Sequence, residues 1–279
     1  MMKNRLEIID LGKKFGKKAV LNQINCELED GIYGVLGPNG AGKTTLMRCI
    51  TGLYSYKGDI KLNGRRMSKN SLKIGYLPQQ FGLFQELTVY GMMQYFCNLK
   101  GIPKNERKQE IEECLKRVNL SDASNFSIKK LSGGMVRRVG IAQAILGHPH
   151  IILLDEPTAG LDPEERMRFK NIINSFAGKS IILISTHIVE DVEACCDHIV
   201  VMNNGRVIKS GSIGDIRNCA DGRILEVGEE SISEEGILFV EKSYLKNEDK
   251  VYRIIMKNKA DDAVMPTVED GYICLLKEN

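Results

Sequence analysis

The chain has 279 residues, 43% of them apolar, and its 39 basic against 36 acidic side chains leave a net charge of +3. That supplies core enough for one large domain with an appendage, or for two small ones, without staples, and no long single-sign block marks a nucleic-acid stripe. No apolar h-region follows the first basic residues, no stretch approaches the roughly 18 apolar residues of a membrane span, and none of the eight cysteines is spaced C-x-x-C, which predicts free thiols in a reducing compartment.

Residues 19–28 and 32–36 read as strands, the second running into a glycine-rich loop and then a helix from 43 to about 51. Residues 58–62 alternate at period two and end at Asn63-Gly64, which predicts an antiparallel hairpin. Residues 73–77 read as a strand that Pro78 stops. From 88 to 118 the pattern turns helical, with Ile111, Cys114, Leu115 and Val118 on one face, so a helical insert is expected over about 80–130. A helix follows over 134–147, in which Arg137 and Arg138 read as a solvated face. Residues 151–154 form the unbroken apolar run of a strand buried on both faces. Residues 163–177 return to helix, with Phe169, Ile172, Ile173 and Phe176 inward, and 180–185 is a second buried strand. Such alternation predicts an α/β architecture, a parallel sheet with helices packed on it. Near 218–222 the composition shifts. The short alternating stretches 223–227, 236–240, 251–256 and 272–275 predict a small α+β appendage over 219–279, with 1–218 as the main domain.

The loop Gly37-Pro38-Asn39-Gly40-Ala41-Gly42-Lys43-Thr44-Thr45 has the spacing of a P-loop. Its glycines let backbone amides wrap a polyphosphate, the helix behind offers its positive end, Lys43 reaches the outer phosphates, and the Thr44 hydroxyl can bind Mg²⁺. Asp155 and Glu156 end the first buried strand, where a parallel sheet opens toward its ligand. Successive strand side chains point opposite ways, so the two take different duties. Asp155 is assigned to Mg²⁺, through water, and Glu156 to the attacking water, as general base or orienter. Between these motifs lies a second anion-seeking turn, Leu131-Ser132-Gly133-Gly134-Met135. Ser132 can N-cap the helix that Gly133 and Gly134 open, leaving free amides and a positive dipole end. His187 closes the series after the second buried strand.

Motifs in this order resemble the nucleotide-binding subunit of an ATP-binding cassette (ABC) transporter over residues 1–218. The resemblance implies a P-loop NTPase core with an antiparallel β subdomain and a helical subdomain, binding ATP and Mg²⁺. It implies that Phe15 stacks on adenine, that Gln79 is the Q-loop residue and joins Thr44 and Asp155 at the metal, and that Leu131 to Met135 is the signature. Ala159-Gly160-Leu161-Asp162 then matches the D-loop, and His187 the switch histidine that contacts the γ-phosphate. Glu156, His187, Gln79 and Lys43 would form the hydrolytic set. Met135 stands where the family most often has glutamine, and Gln80 beside Gln79 leaves the register open by one, although Tyr76-Leu77-Pro78 before and Gly82-Leu83 after favour Gln79.

By the same resemblance, two subunits, identical or different, sandwich two ATP molecules and drive an integral membrane permease from the cytoplasmic face of the cell membrane, with no nucleic-acid partner. The run Gly133 through Gln143, together with Pro266-Thr267-Val268-Glu269-Asp270, is similar to ATPase subunits of bacterial drug, antibiotic-peptide and ion exporters, which favours export. The alternative is a soluble ABC ATPase of cofactor or cluster assembly. A translation factor of this superfamily would carry two cassettes, and a DNA-repair ATPase a long coiled coil for which no heptads are present.

Overall fold

A computed structural model describes residues 3–67, 74–176, 178–229, 232, 236–246 and 249–278. Strands β1 (Arg5–Phe15) and β2 (Lys18–Glu29) form a long hairpin, and β3 (Gly31–Leu36) runs into α1 (Lys43–Ile50). β4 (Lys57–Leu62) turns at Asn63-Gly64 into β5 (Arg65–Arg66), and β6 (Ile74–Leu77) precedes α2 (Val89–Leu99) and α3 (Arg107–Arg117). Then α4 (Gly133–Ile145), β7 (Ile151–Asp155), α5 (Pro163–Asn174), β8 (Ile181–Thr186) and α6 (Val189–Cys195) alternate. The hairpin of β9 (His198–Asn203) and β10 (Arg206–Ser212) leads through α7 (Ile213–Arg217) to β11 (Ile224–Gly228), β12 (Ile237–Lys246), β13 (Asp249–Met256) and α8 (Val268–Glu278).

The strands make three sheets, in the orders β2-β1-β4-β5, β10-β9-β3-β8-β7-β6 and β11-β13-β12. In the six-stranded sheet β9, β3, β8, β7 and β6 run parallel, with β10 antiparallel at one edge. Every residue of β7 and β8 is buried, as the unbroken apolar runs require. Their period of two sorts the side chains onto opposite faces. Ile152, Leu154, Ile182 and Ile184 join one core with the helices, while Ile151, Leu153, Ile181 and Leu183 join another with α1 and the four-stranded sheet. The sheet is therefore packed on both faces.

The expected helices of the insert form, the second burying Ile111, Cys114 and Leu115. The helix expected over 163–177 ends at Asn174, and position 177, like 73 at the start of the expected strand, lies outside the described residues. All eight cysteines are free thiols. Five elements were not foreseen: β1, α6, the two strands of the β9–β10 hairpin, and α7. Residues 272–275 are corrected from an alternating stretch to part of α8, which a capping box opens: Asp270 N–H donates to Thr267 Oγ1 at 3.1 Å, and Thr267 N–H donates to Asp270 Oδ2 at 2.6 Å. Val268 and Tyr272 of this helix reach the large core, while Cys274 packs with Ala220, Ile224 and Ile255 under the three-stranded sheet. Arg253 on β13 donates to both carboxylate oxygens of Asp270, at 3.2 and 2.7 Å, which ties sheet to helix.

Candidate functional site

The P-loop leaves β3 at Gly37 and enters α1 at Lys43. Gly42, the residue before the helix, has φ +104°, a backbone that a Cβ would strain, and no side chain caps the helix it opens. The first turn carries no acidic residue, so free amides and the positive helix end face the cleft. Lys43 is buried and folded onto its own loop, donating to the carbonyls of Gly37 at 2.6 Å and Pro38 at 3.1 Å. Burial presses its pKa down, against the pull of Glu156 and Asp155. A cleft of about 700 Å³ opens here, lined by Asn39, Gly40, Gly42, Lys43, Thr44 and Thr45 on one side and by Gln79, Glu156, Lys18 and Asn204 on the other. Gly37, Pro38 and Ala41 form the back of the loop, where the Ala41 amide bonds to the Pro38 carbonyl.

Asp155, the last residue of β7, is fully buried. Its Oδ1 accepts from the Thr44 hydroxyl at 3.1 Å and the Ser185 hydroxyl at 2.5 Å, while Oδ2 is buried with no hydrogen-bond partner among the described residues. A carboxylate oxygen left so is costly unless something cationic meets it. Glu156, the next residue, points the other way into the cleft. Its Oε2 accepts from Gln79 Nε2 at 2.9 Å, and its Oε1 lies 3.4 Å from His187 Nδ1. Thus Gln79, Glu156, His187, Lys43, Thr44 and Asp155, scattered over 145 positions between the first and the last, are brought to one sheet edge.

Other expected residues sit apart from this cluster. Phe15, at the end of β1, is 45% exposed and meets Tyr54 edge-on at 5.2 Å, with Lys13 Nζ 4.9 Å from its ring. Leu131, Ser132, Gly133 and Gly134 do not line the cleft. Ser132 caps α4 as expected, accepting from the Met135 amide at 3.2 Å, and Ser132 and Gly133 lie exposed. Asp162 caps α5 by accepting from the Glu165 amide at 2.8 Å. The solvated face assigned to Arg137 and Arg138 is corrected. Arg138 is buried against Glu165 at 3.3 Å and the Asn119 carbonyl at 2.9 Å, and Arg137 is folded onto the Glu156 and Gln79 segments. Lys18, Ser185 and the Asn204-Gly205 turn were also missed. Of these, only Asn-Gly carries a local signal, and both residues have positive φ, as a two-residue hairpin turn demands.

A family model described as ABC transporter matches residues 21–159. An uncharacterized ABC transporter ATP-binding protein of Methanocaldococcus jannaschii is 34% identical over 94% of this chain and 94% of its own length. The chain belongs to the ABC transporter ATP-binding proteins. This ABC subunit is also similar to the linearmycin resistance ATP-binding protein LnrL of Bacillus subtilis, at 30% identity over 90% of this chain and 84% of LnrL. A solved structure of an ATP binding subunit of an ABC transporter matches it with a TM-score of 0.68 and 30% identity, over 76% of this chain and 92% of that one. The ABC ATP-binding subunit takes ATP and couples its hydrolysis to transport through a permease. Among its described residues no helix is long and apolar enough to cross a membrane.

Proposed function

We propose that this subunit hydrolyses Mg²⁺-ATP at a site shared between two copies, or between this chain and a like partner, and powers export through a membrane permease. One observation carries the reading: a P-loop, the Thr44 hydroxyl and Glu156 line one cleft, and a second carboxylate, Asp155, lies buried against that hydroxyl. Asp155 Oδ2, buried without a partner beside the Thr44 hydroxyl, fits a hard cation that takes oxygen ligands. Thr44, Asp155 and Gln79 would hold Mg²⁺ there, and when bound it would neutralise phosphate charge.

The loop amides, the α1 terminus and Lys43 bind and orient the triphosphate, and Phe15 offers its exposed ring to adenine. Glu156 orients the attacking water and accepts its proton as the new P–O bond forms and the bond from the γ-phosphorus to the bridging oxygen breaks. His187 donates to the γ-phosphate, and Gln79 links this centre to the helical insert. The Ser132-Gly133-Gly134 turn, exposed at Ser132 and Gly133 and absent from its own chain's cleft, supplies an anion site for the partner's ATP, with the D-loop around Asp162 at the seam. ATP then bridges the closed pair, and hydrolysis removes the bridge.

Phe84, Tyr95 and Leu99 are exposed at 52, 38 and 66%, and Phe84 and Tyr95 meet edge-on at 5.2 Å. They give the insert an apolar surface, close to Gln79 in sequence, on which a permease helix would dock from the inner face of the membrane. Export follows from the exporter-like stretch at Gly133 to Gln143 and from the resistance function in LnrL's name. Residues 219–279 act as an accessory module on the main domain. Glu156→Gln should lower turnover at least about a hundredfold while ATP binding persists; wild-type turnover in that variant would remove Glu156 from the chemistry.

A further inference from the structure

Arg137 lies in the second turn of α4, and its half-buried guanidinium bonds main-chain oxygens of two separate segments. Nε donates to the Pro157 carbonyl at 2.8 Å, Nη1 to the Gln79 carbonyl at 3.1 Å, and Nη2 to the Glu156 carbonyl. Glu156 has φ +46°, in the left-handed region that a residue with a side chain enters only when its surroundings hold it there. Its amide is fixed by Ser185, through the carbonyl at 3.1 Å and the hydroxyl at 3.0 Å. Its carbonyl accepts from Arg137 as well as from the Ala159 amide of its own turn at 3.3 Å, and only the arginine connects it to another element. A planar fork with several N–H donors is the side chain that can serve three carbonyls at once, which a single ammonium cannot match. Burial presses the guanidinium pKa down, while Asp155 and Glu156 pull it up.

We propose that Arg137 is a positioning residue for hydrolysis, holding the backbone of Glu156 and the start of the Q-loop in one fixed relation. Since α4 is also the helix that Ser132 caps, Arg137 ties the chain's own carboxylate to the turn that grips the partner's nucleotide. The inference rests on the role given above to Glu156. Arg137 does not line the nucleotide cleft, so its loss should act on turnover and leave affinity alone.

The test uses the full chain as wild type, Arg137→Met, Arg137→Lys and Glu156→Gln. Turnover of Mg²⁺-ATP, the Kd of a fluorescent ATP analogue with Mg²⁺, and thermal stability are measured for each. Arg137→Met should lower kcat about tenfold or more, in line with the cost of a small misplacement, with Kd within about twofold of wild type, and Arg137→Lys should fall between the two. Unchanged kcat in a folded Arg137→Met would overturn the proposal, and so would a loss of affinity as large as the loss of kcat, the mark of a merely structural residue. If Arg137→Met does not fold, Arg137→Lys decides by the same split: lowered kcat with retained Kd supports the role, and wild-type kcat refutes it. Should Glu156→Gln itself turn over normally, the failure lies with Glu156 and is distinguishable from a failure of Arg137.

Discussion

Gly75 lies on β6 against the backbone of α4, and replacing it with alanine is the most informative test of how the fold positions the site. A Cβ there would stand 1.9 Å from the Ala144 carbonyl oxygen and 2.7 Å from its carbonyl carbon. The obstacle is helical backbone, so no side chain can swing away to relieve it. Strand and helix must part by at least about 1 Å, and overpacking of this kind costs about 1–3 kcal/mol, with the upper end expected here. For a chain of this size that lowers the melting temperature by roughly 5–10 °C. The same displacement reaches the chemistry. Gln143 Nε2 bonds the Tyr76 carbonyl at 2.7 Å across this contact, and Gln79 follows β6 just beyond Pro78. Pushing β6 outward stretches the 2.9 Å contact between Gln79 and Glu156, so Gly75→Ala should lose turnover as well as stability. Calorimetry and a phosphate-release assay measure the two effects. A variant that melts within about 1 °C of wild type and hydrolyses ATP normally would refute the packing argument.

Gly133→Ala should do the reverse: nothing lies within 4 Å of a Cβ there, so calorimetry should find stability kept, while turnover falls about tenfold because the added methyl meets the partner's nucleotide. Lys43→Ala should raise the Kd for Mg²⁺-ATP about ten- to a hundredfold by titration calorimetry, as the loss of a charge-assisted contact to phosphate predicts. Glu241 on β12 supplies a pH test. Its side chain is 3% exposed, and Lys242 Nζ and Arg253 Nε stand 2.9 and 3.2 Å from its oxygens without hydrogen-bond alignment. Burial and the neighbouring Asp270 push its pKa from 4.5 up to about 7. A folded-state value raised above the unfolded one means that stability is full below about pH 4.5 and is lost as pH rises through about 7. Glu241→Gln should therefore melt with wild type near pH 4.5 and above it at pH 8; an equal gap at both would contradict the assignment.

The parts of the molecule legible in sequence are those whose signals are local. The P-loop glycines, the apolar runs of β7 and β8, and Ser132 as a cap each state their physics within a few residues, and the structure places them accordingly. β1 was illegible because its alternation breaks. Asp10 takes φ +47° and pairing shifts between Ile8 and Leu11, so Leu6, Ile8 and Leu11 are buried where a plain strand would bury position 10. Residues 272–275 misread because a short apolar run does not separate strand from helix, and the deciding signal, Thr267 with Asp270, lies outside it. Arg137 was missed for another reason. Periodicity gives the face of a helix, while the carbonyls that face receives belong to residues 79, 156 and 157, brought there only by the sheet.

The most direct test of the shared site is sedimentation of the Glu156→Gln chain with and without Mg²⁺-ATP. With ATP the species should have twice the 31.2 kDa chain mass, and with ADP or no nucleotide it should return to the single chain. A species that holds ATP yet sediments as one chain, both alone and mixed with a like subunit, would contradict the bridging role given to the Ser132-Gly133-Gly134 turn.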